Sequence, residues 1–290
     1  MDISLVICTR NRAAQLGPCL RYVAELAYTG SWELIVVDNG SSDKTAEVIA
    51  DFARSVAFPV RYVFQPIKGL GNARNAGIAA STGGIVAFTD DDCYVSPNFL
   101  AATLRAFGNP SVGFVTGRVT LHDPTDYPAT INESRVPKFF PSGRYLPPGA
   151  LMGANMSFRH ETLTAIGGFD PLFGSGALFP AEDCDAAARA GLAGWDGVYD
   201  PDIEVAHHHG RKADSIGKLH RSYDIGRGAY HTKLILSCGA VGHGLKGWGR
   251  LITLRLRRRP ASAYWESYGA IGYAWQWANG RAKSRRGISS

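Results

Sequence analysis

Three consecutive carboxylates, Asp90, Asp91 and Asp92, follow an apolar run that ends at Thr89. Carboxylates crowded together at a strand end repel one another unless a cation joins them, and such oxygen ligands suit Mg²⁺ or Mn²⁺. The alternative is a solvated acidic turn, because Asp is common in turns and Ser96-Pro97 follows shortly. The triplet is therefore a candidate divalent-metal site with a competing structural interpretation.

A second polar group, Asp38-Asn39-Gly40, follows the apolar run that ends at Val37. A carboxylate in this place can accept the ring N–H of a nucleobase, since an ionised Asp is a strong acceptor. The competing interpretation is that Asp38 only forms a turn. Thr9-Arg10-Asn11 occupies the corresponding place after the first apolar run.

A helix is predicted to begin near Pro180, because Pro is tolerated in the first turn and the acids Glu182 and Asp183 suit the positive end of the helix dipole. The dipole is expected to lower the pKa of Asp183 and keep it ionised, which suits a proton acceptor at neutral pH. The alternative is that these acids only cap the helix. Further along, His207-His208-His209 could supply a metal ligand, form a basic surface turn or belong to an artificial metal site.

Strands and helices in alternation must position these residues. Apolar runs and helical stretches alternate through the first half of the chain, with the runs at 3–8, 33–37, 60–64 and 85–89 and the helices at 12–26, 45–56 and 71–81. This pattern predicts an α/β fold with a mainly parallel sheet flanked by helices. Ligands bind such sheets beyond the carboxyl ends of the strands. The groups that begin at Thr9, Asp38 and Asp90 all lie at such ends.

The charge is distributed unevenly along the chain. The net charge of +6 divides into −7 over the first 204 residues and +13 over residues 205–290. The basic part contains several Trp and Tyr residues between 248 and 277, which suits an anionic membrane surface better than nucleic acid, and no nucleic-acid recognition motif accompanies it. No stretch reaches the roughly 18 apolar residues of a spanning helix. The rival expectation is that this segment folds back as ordinary helices or forms a dimer interface.

Cysteine usage favours a reducing compartment. The five cysteines are scattered, and none forms a Cys-x-x-Cys pair. The first residues resemble a strand, not a secretion signal. We expect reduced thiols in a cytoplasmic protein, with the inner face of the cell membrane as the place of any lipid contact.

Taken together, these motifs resemble the family-two inverting glycosyltransferases of the GT-A fold. The resemblance covers most of the first 210 residues, and six motifs in the right order carry it: residues 4–12, 37–43, 69–77, 88–92, 167–170 and 182–185. It implies a GT-A-like fold, and the residues beyond Gly210, which look helical and amphipathic, are predicted to add a C-terminal helical extension. The implied division is 1–116 for nucleotide-sugar and metal binding, 117–210 for acceptor binding and the catalytic base, and 211–290 for the basic aromatic extension.

The resemblance also implies roles for individual residues. Thr9 and Asp38 would hold the base, with Arg74 on the nucleotide side of the cleft. Asp90 would face the ribose and Asp92 the metal, as an Asp-x-Asp motif, and His207 would add a metal or diphosphate contact. Asp183 would be the catalytic base, with Glu182 orienting it or contacting the acceptor. Neighbouring positions join the predicted donor site, namely Arg10, Asn11, Asn39 and Asp91.

The function expected from the sequence is metal-dependent, inverting sugar transfer. The donor would be a nucleotide sugar, with UDP favoured and dTDP or GDP as alternatives, and the acceptor a saccharide or a lipid-linked molecule, in polysaccharide or glycolipid synthesis. A nucleotidyltransferase of related fold is the first alternative, although no Gly-rich loop follows the first strand. A membrane-docked scaffold without catalysis is the second, although every acidic residue of the motifs is present. The oligomeric state stays open.

Overall fold

The computed structural model describes residues 1–250, 253 and 259–285. Four arginines of the basic C-terminal segment, Arg255, Arg257, Arg258 and Arg286, lie outside the described residues. A nine-stranded sheet forms the centre, with eight strands in the order β3-β2-β1-β4-β8-β6-β9-β5 and β7 paired with β9. The strands are β1 Ile3–Thr9, β2 Trp32–Asp38, β3 Val60–Phe64, β4 Ile85–Asp90, β5 Cys93–Val95, β6 Val112–Leu121, β7 Lys138–Phe140, β8 Asn155–Arg159 and β9 Asp196–His207.

Helices cover the sheet and form the C-terminal extension. They are α1 Ala13–Ala24, α2 Thr45–Ser55, α3 Leu70–Ala80, α4 Phe99–Ala106, α5 His160–Ala165, α6 Glu182–Leu192, α7 Ile216–Leu236, α8 Val241–Arg250 and α9 Pro260–Arg285, with a short 3₁₀ turn at Ala213–Ser215. Side chains of β1 alternate between two cores, Leu5 and Ile7 packing in one and Val6 in the other. The sheet is therefore buried on both faces, as its apolar strands predict.

The parallel half of the sheet aligns the ends of its strands. In the parallel pairings of β1, Thr9 is opposite Asp38 on β2, and Cys8 is opposite Asp90 on β4. The polar groups that follow these strands therefore emerge at one edge of the sheet, as the sequence pattern predicts.

The second half of the sheet is mixed, because the chain there is not built from strand-helix-strand units. β8 is antiparallel to both β4 and β6, while β9 is parallel to β6 and antiparallel to β5. The β5–β9 pairing sets Cys93 opposite His207 and so brings the histidine beside the acidic triplet. The predicted division at residue 116 falls inside β6, so the two halves share one sheet.

The C-terminal extension is helical, as expected, and it packs on the rest of the chain. Apolar side chains of α7 and α9, including Tyr230 and Tyr273, join a cluster with Phe173. The buried ammonium of Lys233 on α7 lies 2.6 Å from Asp170 and 2.7 Å from Asp185. Such a paired buried charge ties α7 to the body of the protein.

Glycines set the distance between α7 and α9. A Cβ added at Gly228 would overlap the carbonyl oxygen of Glu266, and one added at Gly269 would overlap that of Ile225. Gly226 lies against the backbone of Pro180 in the same way. The backbones of the two helices are therefore in direct contact, an approach that only glycine allows.

Candidate functional site

A cavity of about 730 Å³ opens where the carboxyl ends of β1 and β4 meet α3, α6 and α7. Its lining brings together most of the residues that the sequence predicts for the site, which are Thr9, Arg10, Asn39, Arg74, Asp90, Asp91, Asp92, Glu182, Asp183 and His207. Asp38 and Asn11 are outside this lining among the described residues. Residues distant in sequence thus share one polar cleft.

The three adjacent carboxylates have different partners. Asp91 accepts a hydrogen bond of 2.6 Å from the hydroxyl of Thr9, whereas Asp92 accepts one of 2.7 Å from Arg12 Nη2. Asp90 is the most accessible of the three, with 35% of its side chain exposed and Arg74 3.6 Å away. Burial raises the pKa of Asp91 to about 7. Burial also opposes ionisation of Asp92, but the hydrogen bonds and charges of His207 and Arg12 outweigh it and lower the pKa of Asp92 to about 2.

The donor atoms at this edge fit a divalent cation. Ligand atoms of Asp90, Asp92, Cys93 and His207 all lie within 4.8 Å of one another. Asp92 Oδ1 and His207 Nε2 are 3.3 Å apart, close to the about 3 Å between adjacent ligands of an octahedral ion with bonds of about 2.1 Å. Burial raises the pKa of Cys93 well above its usual value, so its thiol stays protonated and is a poor ligand. Two carboxylates and one imidazole remain, a set that can bind a divalent cation, and its carboxylates suit Mn²⁺ or Mg²⁺.

The three neighbouring histidines have separate surroundings. Only His207 reaches the acidic triplet, since the ring of His208 is bonded to the hydroxyl of Tyr94 at 2.9 Å and that of His209 lies 3.6 Å from Asp126. Asp123, Asp126 and His208 form a second group of potential ligands. There the ammonium of Lys212 lies 2.6 Å from Asp126 and supplies the positive charge itself. The first group is therefore the better metal site.

Arg12 is a site residue that sequence reasoning missed. Its guanidinium bridges two members of the triplet, with Nε 3.2 Å from Asp91 and Nη2 2.7 Å from Asp92. The turn before it contains Asn11 at a φ of 53°, in the left-handed region that Asn tolerates better than most residues. The position of Arg12 soon after a strand end was visible in the sequence, but the direction of its side chain was not.

Arg74 and the two acids of α6 form the opposite wall. The buried guanidinium of Arg74 donates to Glu182 at 2.7 Å, so Glu182 is paired. Asp183 accepts hydrogen bonds from two backbone amides, those of Gly153 at 2.9 Å and Cys184 at 2.7 Å. Among the described residues, no side-chain cation contacts its carboxylate, which the two amides hold in place.

The expectation that the helix dipole lowers the pKa of Asp183 is wrong. Burial and the like charge of Glu182 raise that pKa to about 6 instead, outweighing the amide hydrogen bonds and the charge of Arg74. The helix end favours the ionised form by a modest amount, and desolvation of a carboxylate in a cleft costs more. Asp183 is still mostly ionised at neutral pH and is a better base than an exposed Asp.

The loop after β2 is held by its own polar residues. Asp38 accepts hydrogen bonds from the Ser41 amide at 2.7 Å and the Tyr62 hydroxyl at 3.1 Å. The side-chain amide of Asn39 donates to the carbonyls of Gln65 and Ile67. Asn11 accepts from the Ser42 amide at 2.7 Å and links the first loop to the second. All three residues therefore shape the loops beside the cavity.

The C-terminal segment contributes residues to the cavity that the sequence did not indicate. They are Arg211, Leu219, Ser222, Tyr223 and Arg227. Arg227 is held by Glu266 of α9, with Nε 2.9 Å from the carboxylate. Burial among the carboxylates of the site raises the pKa of Tyr223 to about 12, so its phenol stays protonated. Helix α7 is thus a wall of the site as well as part of the extension.

Sequence comparison assigns the chain to a group of known proteins. The family model described as Glycosyl transferase family 2 matches residues 4–165. Over 127 residues, 43% of the chain, the sequence is 35% identical to an uncharacterized glycosyltransferase of Nostoc, of which the match covers 39%. Over 220 residues, 72% of the chain, it is 30% identical to the pre-mycofactocin glycosyltransferase of Mycobacterium tuberculosis, of which the match covers 43%. The chain spans less than half the length of these relatives.

Comparison with solved structures supports the fold. The chain is similar to a mannosyltransferase of Pyrobaculum calidifontis in complex with GDP-Man and Mn²⁺, with a TM-score of 0.66. Sequence identity is 20%, and the alignment covers 98% of this chain and 79% of that one. The two chains share the GT-A fold.

Proposed function

Because the chain belongs to glycosyl transferase family 2, we propose that it transfers a sugar from a nucleotide-sugar donor to a saccharide or lipid-linked acceptor, with inversion at the anomeric carbon. One observation carries this proposal. The possible metal ligands Asp90, Asp92 and His207 and the half-buried carboxylate of Asp183 line a single cavity. We assign the reaction to polysaccharide or glycolipid synthesis in the cytoplasm, at the inner face of the cell membrane.

In the proposed reaction, the acceptor hydroxyl attacks the anomeric carbon from the face opposite the nucleotide diphosphate. The new oxygen–carbon bond forms as the bond to the diphosphate oxygen breaks, and the hydroxyl proton passes to Asp183. The two amides that hold Asp183 leave its oxygens fixed for this transfer. Burial and, after it, the like charge of Glu182, which is paired with Arg74, keep the pKa of Asp183 high. A bound Mg²⁺ or Mn²⁺ would neutralise charge on the leaving diphosphate.

The donor side of the cavity supports binding of an anionic nucleotide. Arg10 lines the cavity, and its Nε is buried without a hydrogen-bond partner among the described residues. We propose that Arg10 and Arg74 face the diphosphate, while Thr9, Asp38 and Asn39 form the base end of the site. UDP is the favoured nucleotide of the donor. GDP is the first alternative, because the similar mannosyltransferase is in complex with GDP-Man.

A donor screen tests the proposed function. Purified protein is incubated with UDP-, GDP- and dTDP-sugars, with and without Mn²⁺, and nucleotide release is measured. We expect release from one nucleotide class only, and only with the metal. Release of pyrophosphate from a nucleoside triphosphate, with no release from any sugar donor, would indicate the nucleotidyltransferase alternative.

Replacing Asp38 by Ala is expected to weaken donor binding more than it slows chemistry. The base lies remote from the reacting carbon, so its contacts change little in the transition state. We expect the donor KM to rise about 10- to 100-fold, the loss for a hydrogen bond to a charged group, with kcat nearly unchanged. Steady-state kinetics and nucleotide titration measure both effects.

The control for Asp38 is Tyr62→Phe, which removes one hydrogen bond of the carboxylate and keeps the charge. This variant should bind donor almost normally. If both variants lose donor affinity equally, Asp38 acts through the conformation of its loop and is not a base contact.

Activity is expected to fall on the acid side near pH 6, because the raised pKa of Asp183 leaves it protonated below that pH. Burial is the main cause of the raised pKa and the like charge of Glu182 adds to it, so Glu182→Gln should move the acid limb of kcat/KM to lower pH. Profiles from about pH 4.5 to 8.5 measure this, with the exposed Glu161→Gln as control. If the acid limb of kcat/KM lies at the same pH in Glu182→Gln and in the wild type, a group other than Asp183 causes it.

A further inference from the structure

One face of α9 exposes large apolar side chains in a continuous row. Tyr264, Tyr268, Ile271 and Trp275 are 63%, 57%, 71% and 63% exposed. Their spacing of four, three and four residues places them on one side of the helix. Ala261, Ser267 and Ala278, also exposed, are interspersed with them on that side, and none is charged. We call these four large side chains the α9 stripe.

The opposite face of α9 is already covered. Ala263, Glu266 and Tyr273 are buried, and Gly269 meets the backbone of α7. Large apolar side chains on the free face contribute nothing to this packing. Contiguous exposed apolar surface of this kind marks an interaction site.

The charged residues of the C-terminal segment are almost entirely of one sign. From Val241 to Ser290 the sequence contains ten Lys and Arg residues and one acidic residue, Glu266. That carboxylate is 0% exposed and paired with Arg227. Along the sequence, basic residues both precede and follow the stripe, Arg259 and Arg281 among them. The segment that carries the α9 stripe therefore has a strongly positive net charge, which attracts anions.

We propose that the α9 stripe docks on the surface of an anionic lipid bilayer, with α9 lying in the plane of the headgroups. Tyr and Trp favour the boundary between headgroups and acyl chains, and Lys and Arg beside them attract anionic lipids. The described helices include none with an apolar stretch long enough to cross a bilayer. A second copy of the chain is the poorer occupant, because pairing two stripes would bring two strongly basic segments together. The docking does not depend on the proposed activity.

Vesicle co-sedimentation of the full chain tests this proposal without donor or acceptor. We expect binding to vesicles of equal parts phosphatidylglycerol and phosphatidylcholine at about 50 mM salt, release at about 500 mM, and no binding to phosphatidylcholine alone. The variant Tyr264→Ser, Tyr268→Ser, Ile271→Ser and Trp275→Ser should bind at least about tenfold more weakly. These side chains are exposed, so the variant should keep the thermal unfolding midpoint of the wild type.

A matched control changes exposed apolar residues elsewhere. Phe64, Ile67 and Phe139 are 55%, 65% and 56% exposed, and the variant with Ser at all three should bind vesicles like the wild type. Equal vesicle binding by the stripe variant and the wild type overturns the proposal. A wild-type dimer in sedimentation equilibrium that becomes monomeric in the stripe variant, with no vesicle binding by either, overturns it in favour of a second copy.

Discussion

Asp183→Asn is expected to lose sugar transfer by about 10²- to 10⁴-fold, the range for removing a general base. Asn has nearly the same size but cannot take up the proton of the acceptor hydroxyl. Its amide nitrogen also cannot accept one of the two backbone hydrogen bonds, from Gly153 and Cys184, that the carboxylate receives. We therefore expect a loss of about 1 to 3 kcal/mol in the free energy of unfolding, without a change of fold.

The measurement separates chemistry from binding. Transfer rates at saturating donor, nucleotide titration and Mn²⁺ titration are compared between wild type and Asp183→Asn, and only the rate should change greatly. If Asp183→Asn transferred sugar near the wild-type rate, Asp183 would only cap the helix. Glu182 would then be tested as the base. Loss of nucleotide binding in the variant would instead indicate a disturbed cavity.

Removal of the metal is the second large effect. EDTA is expected to abolish transfer, and Mn²⁺ to restore it, because a carboxylate-rich cleft must otherwise accommodate both the triplet and an anionic diphosphate. Asp92→Asn removes a charge that His207 and Arg12 both contact. We expect its Mn²⁺ affinity to fall by more than about tenfold, as measured by electron paramagnetic resonance of free Mn²⁺.

The second acidic group supplies the control for the metal prediction. Asp123→Asn alters a carboxylate 3.6 Å from Lys212, where a cation of the protein is already present. Mn²⁺ binding should stay unchanged in this variant. Full transfer in metal-free buffer, or equal Mn²⁺ affinity in Asp92→Asn and the wild type, would contradict the assignment of the metal site.

The parallel half of the fold and the polar groups at its edge could be predicted because both depend on local patterns. Apolar runs alternate with helical stretches, and the rule that ligands bind beyond strand ends indicates Thr9 and Asp90, which both line the cavity. The second half could not be predicted in the same way. β9 contains Asp200, Pro201 and Asp202, and its register against β6 shifts there, so the sequence lacks the alternation of a strand.

The remaining site residues depend on long-range packing. Arg12 was missed because a motif gives the position of a residue and not the direction of its side chain. The pKa of Asp183 was predicted with the wrong sign because burial, which is not visible in sequence, outweighs the helix dipole. Tyr223 and Arg227 were missed because α7 is covered on more than one side, which leaves no simple amphipathic pattern.

The glycine contacts between α7 and α9 have a consequence for redesign of the enzyme. Gly228 and Gly269 lie at the backbone contact between the helices, and Gly226 lies against Pro180. Adding even one methyl group at any of these glycines would require a shift of α7. Since α7 is a wall of the cavity, libraries that aim at a new acceptor should leave these glycines untouched. The substitutions of such a library should be placed at Leu219 and Ser222. There, a different side chain can change the shape of the cavity while the helix stays in place.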